Sequence, residues 1–286
     1  MPLVSLKKLL IKAQKEQHAV GSFNVLDVQS ARAVIQAAEE EHSPVILAFG
    51  EGHERFIPMD LMFTIMRKLA RKATVPVVIL LDHGSFEANL RAMDLGASAV
   101  MYDGSALPFE MNLETTRKIV EKAHALGIDV EAELGHVSME EGNPDKGETD
   151  MDEPIYTDPA LVREFVEKTG VDALAISIGT VHGVCLKKPE IDFQRLKKIR
   201  DITDIPLVLH GGSGVSDDDF KRCIREGITK INYFSEVSLF VAENIKERLQ
   251  KRMEKNYYQD IVKWSQELFK ERVKDRIRLF GSSNKA

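Results

Sequence analysis

Short apolar segments alternate with longer amphipathic segments along the chain. Most of the apolar segments are continuous and do not alternate with polar residues, which is typical of parallel strands that are covered on both faces. They predict eight strands, at Ala19–Val25, Pro44–Phe49, Val75–Asp82, Ala99–Asp103, Asp129–Leu134, Ala173–Gly179, Pro206–His210 and Thr229–Phe234.

Apolar residues at helical spacing predict helices between these strands. The clearest are Val28–Glu41, Leu61–Lys72, Leu113–Leu126, Pro159–Lys168, Phe193–Asp201 and Asp217–Glu226. A regular succession of strands and helices favours the α/β class and a closed (β/α)₈ barrel, the TIM barrel. An open doubly wound sheet is the alternative, but no GxGxxG motif follows the first strand.

Two segments fall outside this alternation. His136–Tyr156 is polar, acidic and long for a connection in a compact domain, which indicates a functional or mobile loop. Residues 237 to 280 are mostly charged and helical, and they predict a C-terminal helical arm that packs on the barrel or on another subunit. We therefore expect one domain over residues 1–286, a TIM barrel with a helical C-terminal extension.

The composition narrows the classes of protein to consider. The formal net charge of −6 argues against a nucleic-acid binder, which needs a concentrated basic surface. The two cysteines form no disulfide framework, so we expect a cytoplasmic protein. The first residues lack the continuous apolar core of a signal peptide, and no apolar run approaches 18 residues, so we expect no membrane span.

Three histidines end predicted strands three, six and seven, and each is followed directly by glycine: His83, His182 and His210. Catalytic groups of a TIM barrel gather at the carboxyl ends of its strands. Neutral imidazoles are common ligands of zinc, so the three predict one shared metal site. A histidine in such a place can also be a satisfied structural residue. His53 and His136 lie in loops near the same rim and are secondary candidates.

Carboxylates accompany these histidines. Asp82 directly precedes His83, where it can move a proton on a metal-bound substrate hydroxyl or orient a histidine. Asp103 and Glu133 also stand at strand ends, where they can hold a second divalent ion or orient the histidines.

Glycines and hydroxyls after strands seven and eight predict a phosphate site. Gly211, Gly212 and Ser213 lead from strand seven into a helix, and Asn232 and Ser235 end strand eight. Loops at these two positions form the recurrent phosphate site of TIM barrels. The structural alternative is a tight turn that merely needs glycine.

Taken together, these segments resemble the class II, zinc-dependent ketose-bisphosphate aldolases. The resemblance covers nearly the whole chain and rests on GSFN at 21–24, PVIL at 44–47, LDHG at 81–84, AVMYDGSALPFEMNLETT at 99–116, AHALGIDVEAELG at 123–135, TGVDALAISIGTVHG at 169–183, PLVLHGGSG at 206–214, KIN at 230–232 and RLFGSSNKA at 278–286.

The resemblance implies a zinc ion on His83, His182 and His210, with Asp82 as the acid and base for the C4 hydroxyl. Asp103 and Glu133 match a second metal position, and Glu141 matches a loop acid that exchanges the proton at the ketone-phosphate carbon. The residues that match the dihydroxyacetone phosphate site are Gly183, Gly211, Ser213, Asn232 and Ser235. A sodium or potassium ion near Gly183 and Gly211 is also implied.

The implied reaction is reversible cleavage of a ketose 1,6-bisphosphate to dihydroxyacetone phosphate and an aldehyde. Fructose 1,6-bisphosphate is the leading candidate substrate, and the alternatives are tagatose 1,6-bisphosphate and a deoxy-ketogluconate phosphate. A homo-oligomer, dimer or tetramer, is expected, with Arg276 or Arg278 of a neighbouring subunit as candidates for the second phosphate.

The chain also departs from the family pattern at Gly50, Ser138–Met139 and Phe234, which can alter sugar specificity. The alternative that the chain is a non-catalytic, phosphosugar-binding relative of these enzymes therefore stays open. A metallohydrolase is disfavoured because strand one ends in Phe23-Asn24-Val25 and lacks a His-x-His motif.

Overall fold

Eight parallel strands close into a barrel in the order in which they occur along the chain. The structure is a computed structural model that describes residues 3–137, 155–183, 189–251 and 255–286. The strands are β1 Val20–Asn24, β2 Val45–Gly50, β3 Val77–Gly84, β4 Ala99–Tyr102, β5 Asp129–Leu134, β6 Ala173–Ile176, β7 Leu207–Leu209 and β8 Ile228–Asn232. Pairing of β1 with β8 closes the sheet and excludes the open doubly wound alternative.

Helices surround the strands, as the alternating pattern predicted. They are α1 Leu6–Lys15, α2 Val28–Glu40, α3 Met59–Ala70, α4 Phe86–Asp94, α5 Phe109–Ala125, α6 Pro159–Thr169, α7 Phe193–Ile202, α8 Asp217–Arg225, α9 Ser235–Lys251 and α10 Tyr258–Leu279, and a 3-10 turn spans Glu51–Arg55. The predicted α/β class and TIM-barrel architecture are thus confirmed.

Several predicted boundaries were wrong. Strand β3 runs on to Gly84, whereas β6 and β7 are shorter than predicted because their last predicted residues belong to the loops at the rim. Helix α4 was not among the predicted helices, although the Ser85 hydroxyl accepts a hydrogen bond from the amide of Ala88 and so caps its first turn.

Helix α1 closes the amino-terminal end of the barrel. Leu6, Leu9 and Leu10 are buried and pack with the inward-facing apolar residues of the strands, such as Ile46 and Val78. Ser5 caps the helix by accepting a hydrogen bond from the amide of Lys8 at 3.2 Å. An apolar plug at this end leaves the carboxyl ends of the strands as the open end of the barrel.

The C-terminal arm packs on the barrel of the same chain. Helix α10 lies along α2, where Lys270 and Lys274 each contact Glu40 at 2.6 Å. Val273 and Ile277 are buried beneath these ion pairs. Of the helices that the structure describes, none is long and apolar enough to cross a membrane.

Candidate active site

His83 reaches the centre of the rim through a distorted strand end. Its φ of 45° lies in the left-handed region, and the register between β3 and β4 shifts between Leu81 and Gly84. Such backbone is uncommon for a residue with a side chain, although histidine adopts it more readily than most residues. Nδ1 of His83 lies 2.8 Å from Oδ2 of Asp103. Asp103 in turn accepts hydrogen bonds from the hydroxyl of Ser105 at 2.6 Å and from its amide at 3.1 Å.

His210 is held from the interior of the barrel. Its Nε2 lies 2.9 Å from Oε1 of the buried Glu131, and the Lys230 ammonium lies 2.9 Å from the same carboxylate. Burial alone would raise the pKa of Glu131, but the charge of Lys230 and the bond from His210 hold that pKa below its usual value. An anionic Glu131 accepts the proton on Nε2 and leaves Nδ1 of His210 as the nitrogen that faces the centre of the rim.

His182 completes the group. It is 2 % exposed, and neither ring nitrogen has a hydrogen-bond partner among the residues that the structure describes. Its ring centroid lies 4.8 Å from that of His83 and 5.8 Å from that of His210. Burial and then the charge of His83 lower its pKa well below the usual value, so the imidazole is neutral. A buried neutral imidazole without a partner needs a ligand.

The three histidines fit a zinc ion. One ring nitrogen from each lies within 4.8 Å of the other two. Carboxylates fix the tautomers of His83 and His210, as they do for zinc-bound histidines, and the unpartnered nitrogens of His182 offer the third donor.

A second group of possible ligands shares His83 with Asp103 and Glu133. Oε1 of Glu133 accepts a hydrogen bond from the amide of Val137 at 3.0 Å, and Oε2 has no partner among the described residues. Burial, and then the negative charge of Asp103, raise the pKa of Glu133 to about 8. Glu133 is therefore protonated at neutral pH, and a cation bound there would have to displace that proton.

Asp82 lies beside the imidazoles in an anionic state. The Asn24 amide donates to Oδ2 of Asp82 at 3.1 Å, and the Asn232 amide donates to Oδ1 at 2.9 Å. Burial alone would raise the pKa of Asp82, but its electrostatic interactions, first with His83 and then with His210 and Lys230, hold that pKa far below its usual value. Two amides fix both oxygens of this buried, anionic carboxylate beside the imidazoles, a position from which it can accept a proton from a substrate hydroxyl.

The loops after β7 and β8, which the sequence predicts as a phosphate site, lie against each other at the rim. Gly211 has a φ of 64°, and a Cβ there would lie 2.5 Å from the carbonyl oxygen of Val181. A Cβ on Gly212 would lie 2.8 Å from the carbonyl oxygen of Asn232, so both positions need glycine.

Beside these glycines, the Ser213 hydroxyl accepts a hydrogen bond from the amide of Glu236 at 3.2 Å, at the amino end of α9. The buried Ser235 hydroxyl has no partner among the described residues. Gly183 also has a positive φ, at 85°. Glycines, a free hydroxyl and a helix amino terminus in one place form a surface suited to a phosphate group.

Other predicted residues fall elsewhere. Glu141 and Ser138–Met139 lie outside the described residues. Arg276 contacts Asp217 at 3.1 Å and Arg278 contacts Glu41 at 2.7 Å, so both are engaged within their own chain. His136 lies beside Asp103, because its Nδ1 is 2.8 Å from the Ser105 hydroxyl.

Two residues central to the site were not assigned a role from the sequence. They are Glu131 and Lys230, and the Lys230 ammonium bridges the Glu131 carboxylate and the side-chain Oδ1 of Asn232, which lies 2.7 Å away. The available signal was the alternation of acidic residues in β5, Asp129, Glu131 and Glu133, which places three carboxyl groups on the inner face of one strand.

Comparison with known proteins gives one consistent family. The family described as "Fructose-bisphosphate aldolase class-II" matches residues 4–285. A fructose-bisphosphate aldolase of Staphylococcus aureus (strain Mu50) is 40% identical over 292 residues, covering 100% of both chains. A probable fructose-bisphosphate aldolase of Bacillus subtilis (strain 168) is 40% identical over 290 residues, again covering 100% of both. The crystal structure of the YdjI aldolase from Escherichia coli K12 superimposes with a TM-score of 0.86 at 37% identity, covering 99% of each chain.

Proposed function

Since the chain belongs to the class II fructose-bisphosphate aldolase family, we propose that it cleaves fructose 1,6-bisphosphate reversibly to dihydroxyacetone phosphate and glyceraldehyde 3-phosphate. The observation that carries the proposal is the convergence of three histidines beside an anionic carboxylate and a glycine-rich phosphate surface. Ketose-bisphosphate cleavage needs these three elements: a site for charge stabilisation, a base, and an anchor for the phosphate.

Different residues carry out the separate parts of the reaction. Asp82 takes the proton from the C4 hydroxyl as the bond between C3 and C4 breaks, and it returns that proton in the reverse direction. Asn24 and Asn232 hold both carboxylate oxygens in place for this transfer. Zinc held by His83, His182 and His210 would supply Lewis-acid stabilisation of the negative charge that develops on the ketone-derived half.

Further roles follow from the family resemblance. Glu141 would exchange the proton at the ketone-phosphate carbon. Gly183, Gly211, Gly212, Ser213, Asn232 and Ser235 would hold dihydroxyacetone phosphate. Asp103 and Glu133 would hold a second divalent ion, and a sodium or potassium ion would bind near the phosphate surface. A homo-oligomeric assembly and a cytoplasmic location stay predictions.

A coupled assay tests the function. Purified protein supplied with zinc is given fructose, tagatose and related ketose bisphosphates, and the release of dihydroxyacetone phosphate is followed with and without a chelator. We expect release from fructose 1,6-bisphosphate that the chelator abolishes and added zinc restores. Binding of dihydroxyacetone phosphate without its release from any ketose bisphosphate would instead identify a non-catalytic phosphosugar-binding relative.

A further inference from the structure

A buried histidine to which the proposed mechanism assigns no role lies at the rim after β2. His53 belongs to the 3-10 turn Glu51–Arg55 and is 2 % exposed. Its Nδ1 has no hydrogen-bond partner among the residues that the structure describes. A buried polar nitrogen without a partner is costly to a fold unless a ligand satisfies it.

Gly50 makes room for this nitrogen. Its φ of −78° suits any residue, so the backbone does not require glycine there. A Cβ at that position would lie 3.3 Å from Nδ1 of His53 and 3.6 Å from Nδ2 of Asn24. Gly50 therefore leaves a space that Nδ1 of His53 and the Asn24 amide both border. The same amide donates to Asp82, and Gly50 is the register partner of Asp82 in the barrel.

Aromatic rings fix the orientation of the imidazole. The ring of Phe234 lies 5.1 Å from that of His53, and the ring of Phe49 lies 6.1 Å away, measured between centroids. Burial lowers the pKa of His53 to about 4, so the side chain is neutral at neutral pH. A neutral imidazole offers one N–H and one lone pair, which suits an uncharged hydroxyl better than a phosphate dianion.

We propose that His53 is a substrate-contacting residue that hydrogen-bonds, through Nδ1, a hydroxyl on the aldehyde half of the sugar. The proposal rests on the proposed aldolase function. The phosphate surface is built by the loops after β6, β7 and β8, whereas His53 follows β2 and lies on the Asn24 side of Asp82. A ketose anchored by its phosphate and with its C4 hydroxyl at Asp82 therefore places the carbons beyond C4 nearest to His53.

The test compares two aldehydes in the condensation with dihydroxyacetone phosphate. Glyceraldehyde and propanal have the same three carbons and differ only in their hydroxyls. We expect His53→Leu, which keeps an apolar side chain between Phe49 and Phe234, to lower kcat/KM for glyceraldehyde at least about 10-fold, because a site built to bond a hydroxyl loses that much when the bond is removed. The kcat/KM for propanal is expected to stay within about 3-fold, since propanal has no hydroxyl to lose.

Three further variants sharpen this result. Gly50→Ala keeps the imidazole but places a methyl group 3.3 Å from Nδ1, so we expect a loss with the same selectivity. His53→Gln keeps a donor and an acceptor and is expected to restore part of the preference for glyceraldehyde. His124→Leu is the matched control, because His124 is a half-exposed histidine that contacts Asp172 at the opposite end of the barrel. Its ratio of the two rates should equal that of the wild type.

Each other outcome overturns the inference. An equal loss for both aldehydes in His53→Leu would show that His53 serves packing alone, and unchanged kcat/KM values for both aldehydes would show that it contacts no substrate hydroxyl. In both cases the wild type still condenses the substrates, so the proposed function stands. A zinc-loaded wild type that neither condenses aldehydes nor cleaves bisphosphates would overturn the proposed function itself, and this inference with it.

Discussion

The two ends of the barrel differ in how their buried polar groups are paired, and strand β5 runs from one end to the other. At the amino-terminal end, Asp129 accepts hydrogen bonds from the hydroxyl of Ser5 at 2.6 Å and from the amide of Lys7 at 3.0 Å. Asp172 nearby contacts the ammonium of Lys7 at 3.0 Å and the ring of His124 at 2.8 Å. These carboxylates are satisfied within the chain and fasten α1 across the barrel.

At the carboxyl end, polar atoms are buried and left without partners. They include both ring nitrogens of His182, Oε2 of Glu133 and the hydroxyl of Ser235, among the described residues. Buried polar groups normally find partners within the protein, so their concentration at one end supports the proposed ligand site there. Thus the two ends are distinguished by whether their buried polar atoms have hydrogen-bond partners, more than by their number of charges. His18 is an exception at the amino-terminal end, because its Nδ1 also has no hydrogen-bond partner among the described residues.

The largest effect is expected from the loss of a histidine at the functional end. His210→Ala should strip tightly bound zinc and abolish cleavage while the barrel stays folded, because the variant loses one of three donor nitrogens. Metal analysis, the coupled assay and circular dichroism measure the three parts of this prediction. Full activity in a metal-depleted sample of the variant would contradict the zinc role.

A pair of lysine variants compares the two ends directly. Lys230→Met leaves the fully buried Glu131 carboxylate without its cation, and such losses cost about 3–5 kcal/mol. Lys7→Met removes an ion pair whose lysine is 51% exposed, which costs at most about 1 kcal/mol. Urea unfolding gives both free energies. Equal losses would show that the interior pair contributes no more than the one at the surface.

The loss of proton transfer at Asp82 is expected to have the next largest effect. Asp82→Asn keeps the shape of the side chain but removes the base, so we expect metal retention with a fall in cleavage of at least about 10²-fold, or about 2.7 kcal/mol. Steady-state kinetics beside metal analysis test this. Near-normal turnover would remove Asp82 from the mechanism.

His18 gives the smallest effect, seen as a pH dependence of stability. Burial lowers its pKa from 6.5 to about 4 in the folded protein, so the unfolded chain binds the proton more tightly. Stability is therefore complete above about pH 6.5 and falls as the pH drops towards 4. By about pH 5 the loss is about 2 kcal/mol. Urea unfolding at pH 7 and pH 4.5 should show this extra loss in the wild type relative to His18→Gln, and parallel curves would contradict it.

The architecture could be predicted from the sequence because buried parallel strands have a distinctive local pattern of apolar residues. Eight continuous apolar runs predicted eight strands, and the His-Gly pairs at three of their ends predicted which residues meet at the rim. Helix α4 was not predicted individually because it follows a strand that extends two residues beyond its predicted end.

The partners of the histidines could not be predicted in the same way. Glu131 and Lys230 are 99 residues apart in the chain, and only closure of the barrel brings them together. A lysine in a strand gives no local sign of the carboxylate that it meets. The space between Gly50 and His53 depends on side-chain packing against Phe49 and Phe234, which no periodic pattern encodes.

The interior bridge between Lys230, Glu131 and His210 also constrains how this protein can evolve. Replacing Lys230 alone leaves the Glu131 carboxylate buried without its cation. Replacing Glu131 alone leaves the Lys230 ammonium without its anion and removes the contact that orients the His210 imidazole. A single substitution at either position is therefore expected to destabilise the fold. Positions 131 and 230 are therefore expected to covary among descendants of this sequence, changing together or not at all.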